Sequence, residues 1–95
     1  MKREVIEVPV ISEAIRRLGA PTSALVRAGD LLFTCGMPPV DIRTGDIVQG
    51  DIATQTRAAL DALEATLAFG GSSLSQAVKT IVFITDPALM GEVNA

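Results

Sequence analysis

The amino-acid sequence predicts a single α+β domain, in which helices cover one side of a β-sheet. Three observations lead to this class: two short apolar runs on either side of Gly29-Asp30, an amphipathic run after Asp51, and a β-branched run at Val78–Thr85. Early strands followed by alternating helix and strand are typical of a helix-covered sheet. The 95 residues are enough for one core, so we predict one domain over residues 1–95.

The first elements are short. Val5–Val8 alternates apolar and charged residues and stops at Pro9, which predicts an opening strand. Glu13–Leu18 predicts one helical turn, which Gly19 and Pro21 end.

The next segment predicts a hairpin. Ser23–Ala28 and Leu31–Thr34 are apolar runs separated by the two residues Gly29-Asp30, a connection typical of antiparallel strands. Pro38-Pro39 then ends the ladder, because two successive residues lack a backbone donor. Ile47-Val48 is a candidate for a short edge strand.

The strongest helix signal follows Asp51, which is a plausible N-cap. Arg57 and Asp61 fall on the solvent side, and Gly70-Gly71 ends the helix. The apolar stripe recurs at helical spacing and consists of Ile52, Thr56, Ala59, Leu60, Leu63 and Leu67. It predicts a helix of about five turns that lies on the sheet.

The last segment predicts a strand and a second helix. Val78–Thr85 is apolar on both faces apart from Lys79, the pattern of a central strand covered on both sides. Asp86-Pro87 ends this strand, and Ala88–Asn94 begins a helix.

The composition excludes several classes of function. The chain has no His, which removes Ser-His-Asp and Cys-His catalysis and any imidazole-bound metal. Cys35 is the single cysteine and has no intrachain partner for a disulfide. We expect neither a metal nor a cofactor.

Charge and hydropathy also constrain the partners. Eight Lys and Arg against eleven Asp and Glu give a net charge of −3, and Phe is the only aromatic type, with three residues. Nucleic-acid-binding domains normally show a basic stripe or stacking aromatics. No apolar run reaches the ~18–20 residues of a membrane span. We expect a cytoplasmic protein that binds neither nucleic acid nor membranes.

An ordered set of motifs resembles the RidA/YjgF family, from about Pro21 to the last residue. The matching segments are Gly29–Gly36, Pro39–Asp41, Thr44–Val48, Asp51-Ile52, Gln55–Arg57, Gly71–Leu74, Val78–Thr80, Val82–Asp86 and Val93–Ala95. The resemblance implies a chorismate-mutase-like fold, assembled as a homotrimer with the sheets inside and ligand clefts between subunits. It also implies hydrolysis of enamine or imine intermediates, such as 2-aminoacrylate, to 2-oxo acids and ammonia. Older labels for such proteins are endoribonuclease L-PSP and translation initiation inhibitor.

The resemblance assigns four substrate-binding positions. Cys35 and Gly36 stand where many relatives have Ser-Gly, Asn94 falls in the Val-Asn-Ala motif, and Thr22 stands where active deaminases often carry a Tyr. The family's substrate-binding Arg and its water-handling Glu belong to two further strands, and this sequence contains neither position. The catalytic residues are therefore unknown at this stage. We expect the missing strands to leave an unpaired sheet edge, so that the chain either needs its oligomer or is a fragment.

Several residues have two interpretations. Arg27 and Arg57 are either carboxylate clamps or solvated ion-pair residues. Cys35 is a ligand contact or nucleophile, or a small half-buried residue at a strand end. Gly36 is either required by the backbone conformation, or allows a ligand to approach the backbone, or both. Asn94 is either a hydrogen-bond donor in the site or an ordinary helix residue.

The resemblance leaves two further functions open. One is a non-catalytic trimer that binds small carboxylates or regulates a partner. The other is a ribonuclease or translation inhibitor, which the acidic composition disfavours because such a protein would need salt-sensitive RNA affinity.

Overall fold

The computed structural model of the chain describes residues 2–83 and 85–93. Its antiparallel sheet and helices confirm the predicted α+β class. The strands are β1 (Arg3–Ile6), β2 (Leu25–Ala28) and β3 (Leu31–Thr34), and the helices are α1 (Ile11–Arg17), α2 (Ile52–Phe69) and α3 (Met90–Val93). Two 3₁₀ turns cover Leu74–Gln76 and Pro87–Leu89. No helix within the described ranges is both long and apolar enough to cross a membrane.

The hairpin forms as predicted. Ala28 pairs with Leu31 and Leu25 pairs with Thr34, so Gly29-Asp30 is the connection. Gly29 has a φ of 61°, a conformation that glycine adopts without steric cost. β1 pairs antiparallel with the other side of β2, which gives the strand order β1-β2-β3.

The opening strand lies two residues earlier than the predicted Val5–Val8. Val8 is 3% exposed, and its N–H donates to Ser12 Oγ at 2.8 Å. The Val8 carbonyl accepts from the Ser12 N–H at 2.9 Å. Because both backbone groups of Val8 are engaged by the start of α1, Val8 cannot continue the ladder with β2.

The first helix is longer than the single turn predicted over Glu13–Leu18. It starts at Ile11, and Gly19 follows it with a φ of 76°, so the predicted stop is confirmed. Ile11, Ala14 and Ile15 are buried. The burial of these side chains favours the extra turn, since a short helix is stabilised mainly by packing its apolar face.

The core lies where α1 and α2 meet the sheet. Its buried residues are Val8, Ile11, Ile15, Ala24, Leu25 and Ala62. Half-buried apolar residues extend it, among them Leu32, Cys35 and Met37. Burying a Val, Leu or Ile side chain stabilises the fold by roughly 1.5–3 kcal/mol, and the cluster buries Val8, Ile11, Ile15 and Leu25.

The long helix begins and ends as predicted. The Asp51 carboxylate accepts from the Thr54 N–H at 2.8 Å, which confirms the N-cap, and Gly70 is the C-cap. The buried positions, however, are Ala62 and Thr66, while Leu60 is 48% exposed. The predicted stripe is therefore confirmed in part, since its other members are half-buried: Ile52, Thr56, Ala59, Leu63 and Leu67.

The loop before α2 does not contain the predicted edge strand. Ile47 forms a single bridge with Val40, and the Val48 N–H donates to the Pro39 carbonyl at 2.8 Å. Gly45, with a φ of 81°, turns the chain between these partners. Neither Pro38 nor Pro39 has an N–H to donate to a longer ladder.

The predicted central strand Val78–Thr85 is wrong for the part that the structure describes. Residues 78–83 have no regular secondary structure, and Ile84 lies outside the described residues. Val78 is 92% exposed and Phe83 is 88% exposed. A strand is stabilised by backbone pairing with a neighbour, and no strand pairs with this segment among the described residues.

The second predicted helix is confirmed in part. Asp86 accepts from the Ala88 N–H at 3.0 Å and begins the 3₁₀ turn, which continues into α3. The end of the predicted helix, Asn94, lies outside the described residues.

Ser12→Ala tests the link between β1 and α1. The substitution leaves the buried Val8 N–H without its side-chain acceptor, so we expect the free energy of unfolding to fall by about 1–3 kcal/mol. Urea denaturation measures this loss. Ser23→Ala, at an exposed position, is the matched control and should change stability by less than about 0.5 kcal/mol. Equal stability of the two variants would contradict the assigned hydrogen bond.

Phe83→Lys tests the exposure of segment 78–83. Because Phe83 is 88% exposed, we expect the free energy of unfolding to change by less than about 0.5 kcal/mol. Leu25→Ala, at a position that is 0% exposed, should cost about 2–5 kcal/mol in the same denaturation series. A loss for Phe83→Lys as large as that for Leu25→Ala would show that Phe83 is buried in the protein.

Candidate functional site

The candidate site lies at the end of β3 that is farther from the hairpin turn. Cys35 follows this strand directly, and its N–H donates to the Ala24 carbonyl at 3.3 Å. This bond extends the β2–β3 ladder by one residue beyond the Leu25–Thr34 pair. The hairpin therefore fixes the backbone at Cys35, and the half-buried side chain packs against the core.

Thr22 meets Cys35 from the loop between α1 and β2. The Thr22 side chain lies near the Cys35 thiol and lowers its pKa, although burial raises this pKa by more. Gly36 follows in the chain, so the structure brings three of the four sequence-predicted residues together. The fourth, Asn94, lies outside the described residues.

The Cys35 thiol is a neutral group at physiological pH. Burial raises its pKa above the ordinary value of 9.0, and this effect exceeds the lowering by its own backbone amide and by Thr22. Thiolate is the nucleophilic form of cysteine. The nucleophile interpretation of Cys35 is therefore disfavoured, and a hydrogen-bonding or packing role is favoured.

Gly36 faces open space. A Cβ built on this residue has no heavy atom within 4 Å, and its φ lies outside the range that favours glycine. Backbone geometry therefore does not require glycine here. The structure leaves room beside the Gly36 backbone, and the approach of a ligand to it stays a prediction.

Neither candidate arginine joins this group. Arg27 pairs with Leu32 in the ladder, and its Nη2 donates to the Gly70 carbonyl at 2.6 Å. Arg57 is exposed on α2, as is Asp61. The solvent-side prediction for Arg57 and Asp61 is confirmed, and within the described ranges no ion pair joins them.

A cavity of about 190 Å³ lies between the 40–48 loop and α2. Asp41 and Arg43 line it from the loop and Asp61 from the helix. The Arg43 backbone N–H holds the pKa of Asp41 below its usual range, and the Arg43 charge acts in the same direction. Thr22, Cys35 and Gly36 are not part of this cavity. Sequence reasoning missed it, since loop residues and helix residues meet here only through the tertiary fold.

The Thr22–Cys35–Gly36 group is a neutral polar surface. It offers a hydroxyl, a thiol and exposed backbone, which are groups that can form hydrogen bonds. None of the three residues is charged at neutral pH. Among the residues that the structure describes, no cluster of three or more His, Cys, Asp or Glu side chains is arranged to hold a metal.

Known proteins resemble this chain over most of its length. The family model for endoribonuclease L-PSP matches residues 13–95. A RutC family protein of Pyrococcus horikoshii is 42% identical over 78 residues, which cover 79% of this chain and 62% of that protein. The 2-iminobutanoate/2-iminopropanoate deaminase of Escherichia coli is 37% identical over 70 residues, which cover 74% of this chain and 54% of that protein. The chain thus spans just over half to just under two thirds of the length of these two relatives.

Solved structures agree with the sequence matches. The crystal structure of a protein of the conserved Rid family, YyfA from Yersinia pestis, superposes with a TM-score of 0.84 at 33% identity. The superposition covers 98% of this chain and 71% of that one. These matches establish that the chain belongs to the endoribonuclease L-PSP family, the RidA/YjgF family of Rid proteins.

Proposed function

We propose that this protein, in its complete form, hydrolyses reactive enamine and imine intermediates of the 2-aminoacrylate type to 2-oxo acids and ammonia. The observation that carries the proposal is the grouping of Thr22, Cys35 and Gly36 in a chain 37% identical to a 2-iminobutanoate/2-iminopropanoate deaminase over 70 residues. The protein would act in the cytoplasm as a homotrimer, with the substrate in clefts between subunits. It would need no cofactor, because water is the only co-reactant.

An enamine first gains a proton on its β-carbon while its nitrogen loses one, which gives the imine. A water molecule then adds to the carbon of the C=N bond. The resulting tetrahedral adduct carries an amine and a hydroxyl on one carbon, and it collapses to the ketone as the C–N bond breaks and ammonia leaves. A positioned substrate and a stabilised polar adduct lower the barrier of such a step. None of these steps needs a protein nucleophile, which agrees with the neutral Cys35 thiol.

Each described site residue has a role in this scheme. The Thr22 hydroxyl and the Cys35 thiol, which contact each other, would orient the amino group of the substrate through hydrogen bonds. Gly36 would leave room for the substrate beside its backbone. The carboxylate clamp and the group that activates water are not among these residues, and the family resemblance places them on an Arg and a Glu in further strands.

A non-catalytic trimer that binds small carboxylates is the second candidate function. The absence of a charged side chain from the Thr22–Cys35–Gly36 group favours it, since such a surface binds a ligand without a built-in base. Turnover separates the two functions.

Gly36→Leu tests the catalytic proposal. We expect native mass spectrometry to show a trimer and the protein to accelerate loss of 2-aminoacrylate generated in situ. A Leu side chain at the open Gly36 position should reduce kcat/KM by about tenfold or more, as expected when a substrate position is blocked, without lowering the melting temperature. Ala53→Leu, which adds bulk at an exposed position of α2, is the control and should keep full activity. A folded trimer that does not accelerate the loss over buffer would contradict the deaminase function.

The alkylation of Cys35 by iodoacetamide tests the neutral thiol. Because burial raises its pKa, the rate should rise with pH along a curve whose midpoint lies above 9.0. Thr22→Val removes a contact that lowers this pKa, so its curve should move to higher pH, whereas Thr22→Ser should keep the original curve. Circular dichroism at each pH confirms that the fold is intact. A midpoint below that of a free cysteine would restore the nucleophile interpretation.

A further inference from the structure

A basic cleft lies at the hairpin end of the sheet, away from Cys35. It has a volume of about 520 Å³ and lies where β1 begins and β2 ends. Three cations line it, Lys2, Arg3 and Arg27, together with Glu4 and Gly29. The chain as a whole carries a net charge of −3, so a cleft with three cations and one carboxylate differs in sign from the average surface.

Arg27 is the best-positioned of these cations. Its Nη2 donates to the Gly70 carbonyl at 2.6 Å, which ties the guanidinium to the end of α2. Its Nε lies 3.8 Å from Glu4 Oε1 across the β1–β2 pair. These two contacts restrict the rotamers of a side chain that would otherwise lose much conformational entropy on binding a ligand.

The guanidinium still has donors to offer. The arginine guanidinium carries five N–H donors, and the bond to Gly70 is the one side-chain hydrogen bond that Arg27 forms with the described residues. The side chain is 42% exposed, so part of it is already shielded from water. A half-buried guanidinium with free donors favours an oxyanion, because charge-assisted hydrogen bonds are roughly twice as strong as neutral ones.

Lys2 and Arg3 add charge to this end of the sheet, Arg3 from the face opposite to Arg27 and Glu4, because neighbouring strand residues alternate between faces. Both are exposed, and neither forms an ion pair with the residues that the structure describes. Glu4 offsets one of the three positive charges. The charge that remains in the cleft matches a dianion rather than a single carboxylate.

We propose that this cleft binds a phosphate group, with Arg27 supplying directed hydrogen bonds and Lys2 and Arg3 supplying charge. The site differs from the deaminase site in position and in chemistry, since the two lie at opposite ends of β3. Its ligand is either inorganic phosphate or the phosphate group of a small metabolite, which present the same tetrahedral oxyanion. Binding at this site does not depend on the proposed deaminase function.

Titration of the ¹⁵N-labelled protein with inorganic phosphate tests the proposal, at an ionic strength held constant with NaCl. We expect saturable shifts of the amide signals of Lys2, Arg3, Arg27, Gly29 and Gly70. The variant Lys2→Met/Arg3→Met does not touch the Arg27–Gly70 bond and should weaken binding by about tenfold or more. Arg27→Lys keeps the charge but loses the planar fork, and it should also weaken binding. Arg43→Met, at an exposed arginine outside the cleft with a side chain that is 86% exposed, is the control and should bind as the unaltered protein does.

Four other outcomes would overturn the phosphate site, and one would support it further. Shifts that NaCl alone reproduces, or equal weakening by Arg43→Met, would show a general response to anions and overturn the site. Unchanged affinity of Lys2→Met/Arg3→Met would also overturn it. Glycerol phosphate that binds as inorganic phosphate does supports recognition of the phosphate group. Binding only to vesicles that contain phosphatidic acid would overturn the small-ligand site in favour of a lipid surface.

Discussion

The close approach of the end of α2 to the sheet is the constraint on which the rest of the structure depends. A Cβ at Gly70 would lie 2.9 Å from Leu25 Cδ2 and 2.9 Å from Leu32 Cδ1, so a side chain at this position would force either the leucine side chains or the helix end to move. Leu25 is fully buried beneath this contact. Arg27 then donates to the Gly70 carbonyl, which satisfies a group that helix ends leave without a partner. A glycine, a leucine pair and an arginine thus fix the helix on the hairpin.

The hairpin determines where the two proposed sites lie. Because the hairpin is clamped through Leu25 and Leu32, its open end holds Cys35 beside Thr22 and its turn end holds Arg27 beside Glu4. The open end is neutral and the turn end is basic. One hairpin therefore carries hydrogen-bonding groups at the open end of its strands and charged groups at its turn end.

The sequence predicted the features that depend on residues close together in the chain, but not those that depend on tertiary contacts. The hairpin around Gly29-Asp30 and the N-cap at Asp51 were predictable, since each depends on residues within a few positions of one another. The start of α1 was not predictable from the sequence. It depends on the burial of Ile11 and on the hydrogen bonds between Val8 and Ser12. The residues Val78–Thr85 have the composition of a central strand, but pairing partners decide whether such a run forms a strand. Thr22 and Cys35 were assigned by family resemblance, and their mutual contact arises only from the fold.

The neutral state of Cys35 has a chemical consequence for the family's reaction. A thiolate beside an electrophilic C=N carbon would compete with water and form a covalent adduct, since thiolate is intrinsically a far stronger nucleophile than water. Burial, which disfavours the charged form, suppresses this side reaction while the S–H group remains able to hydrogen-bond. The contact with Thr22 has the opposite effect on the thiol but is the weaker of the two. The half-buried position at the end of β3 would thus suit cysteine to the proposed hydrolytic site, in which water, and not sulfur, would attack the substrate.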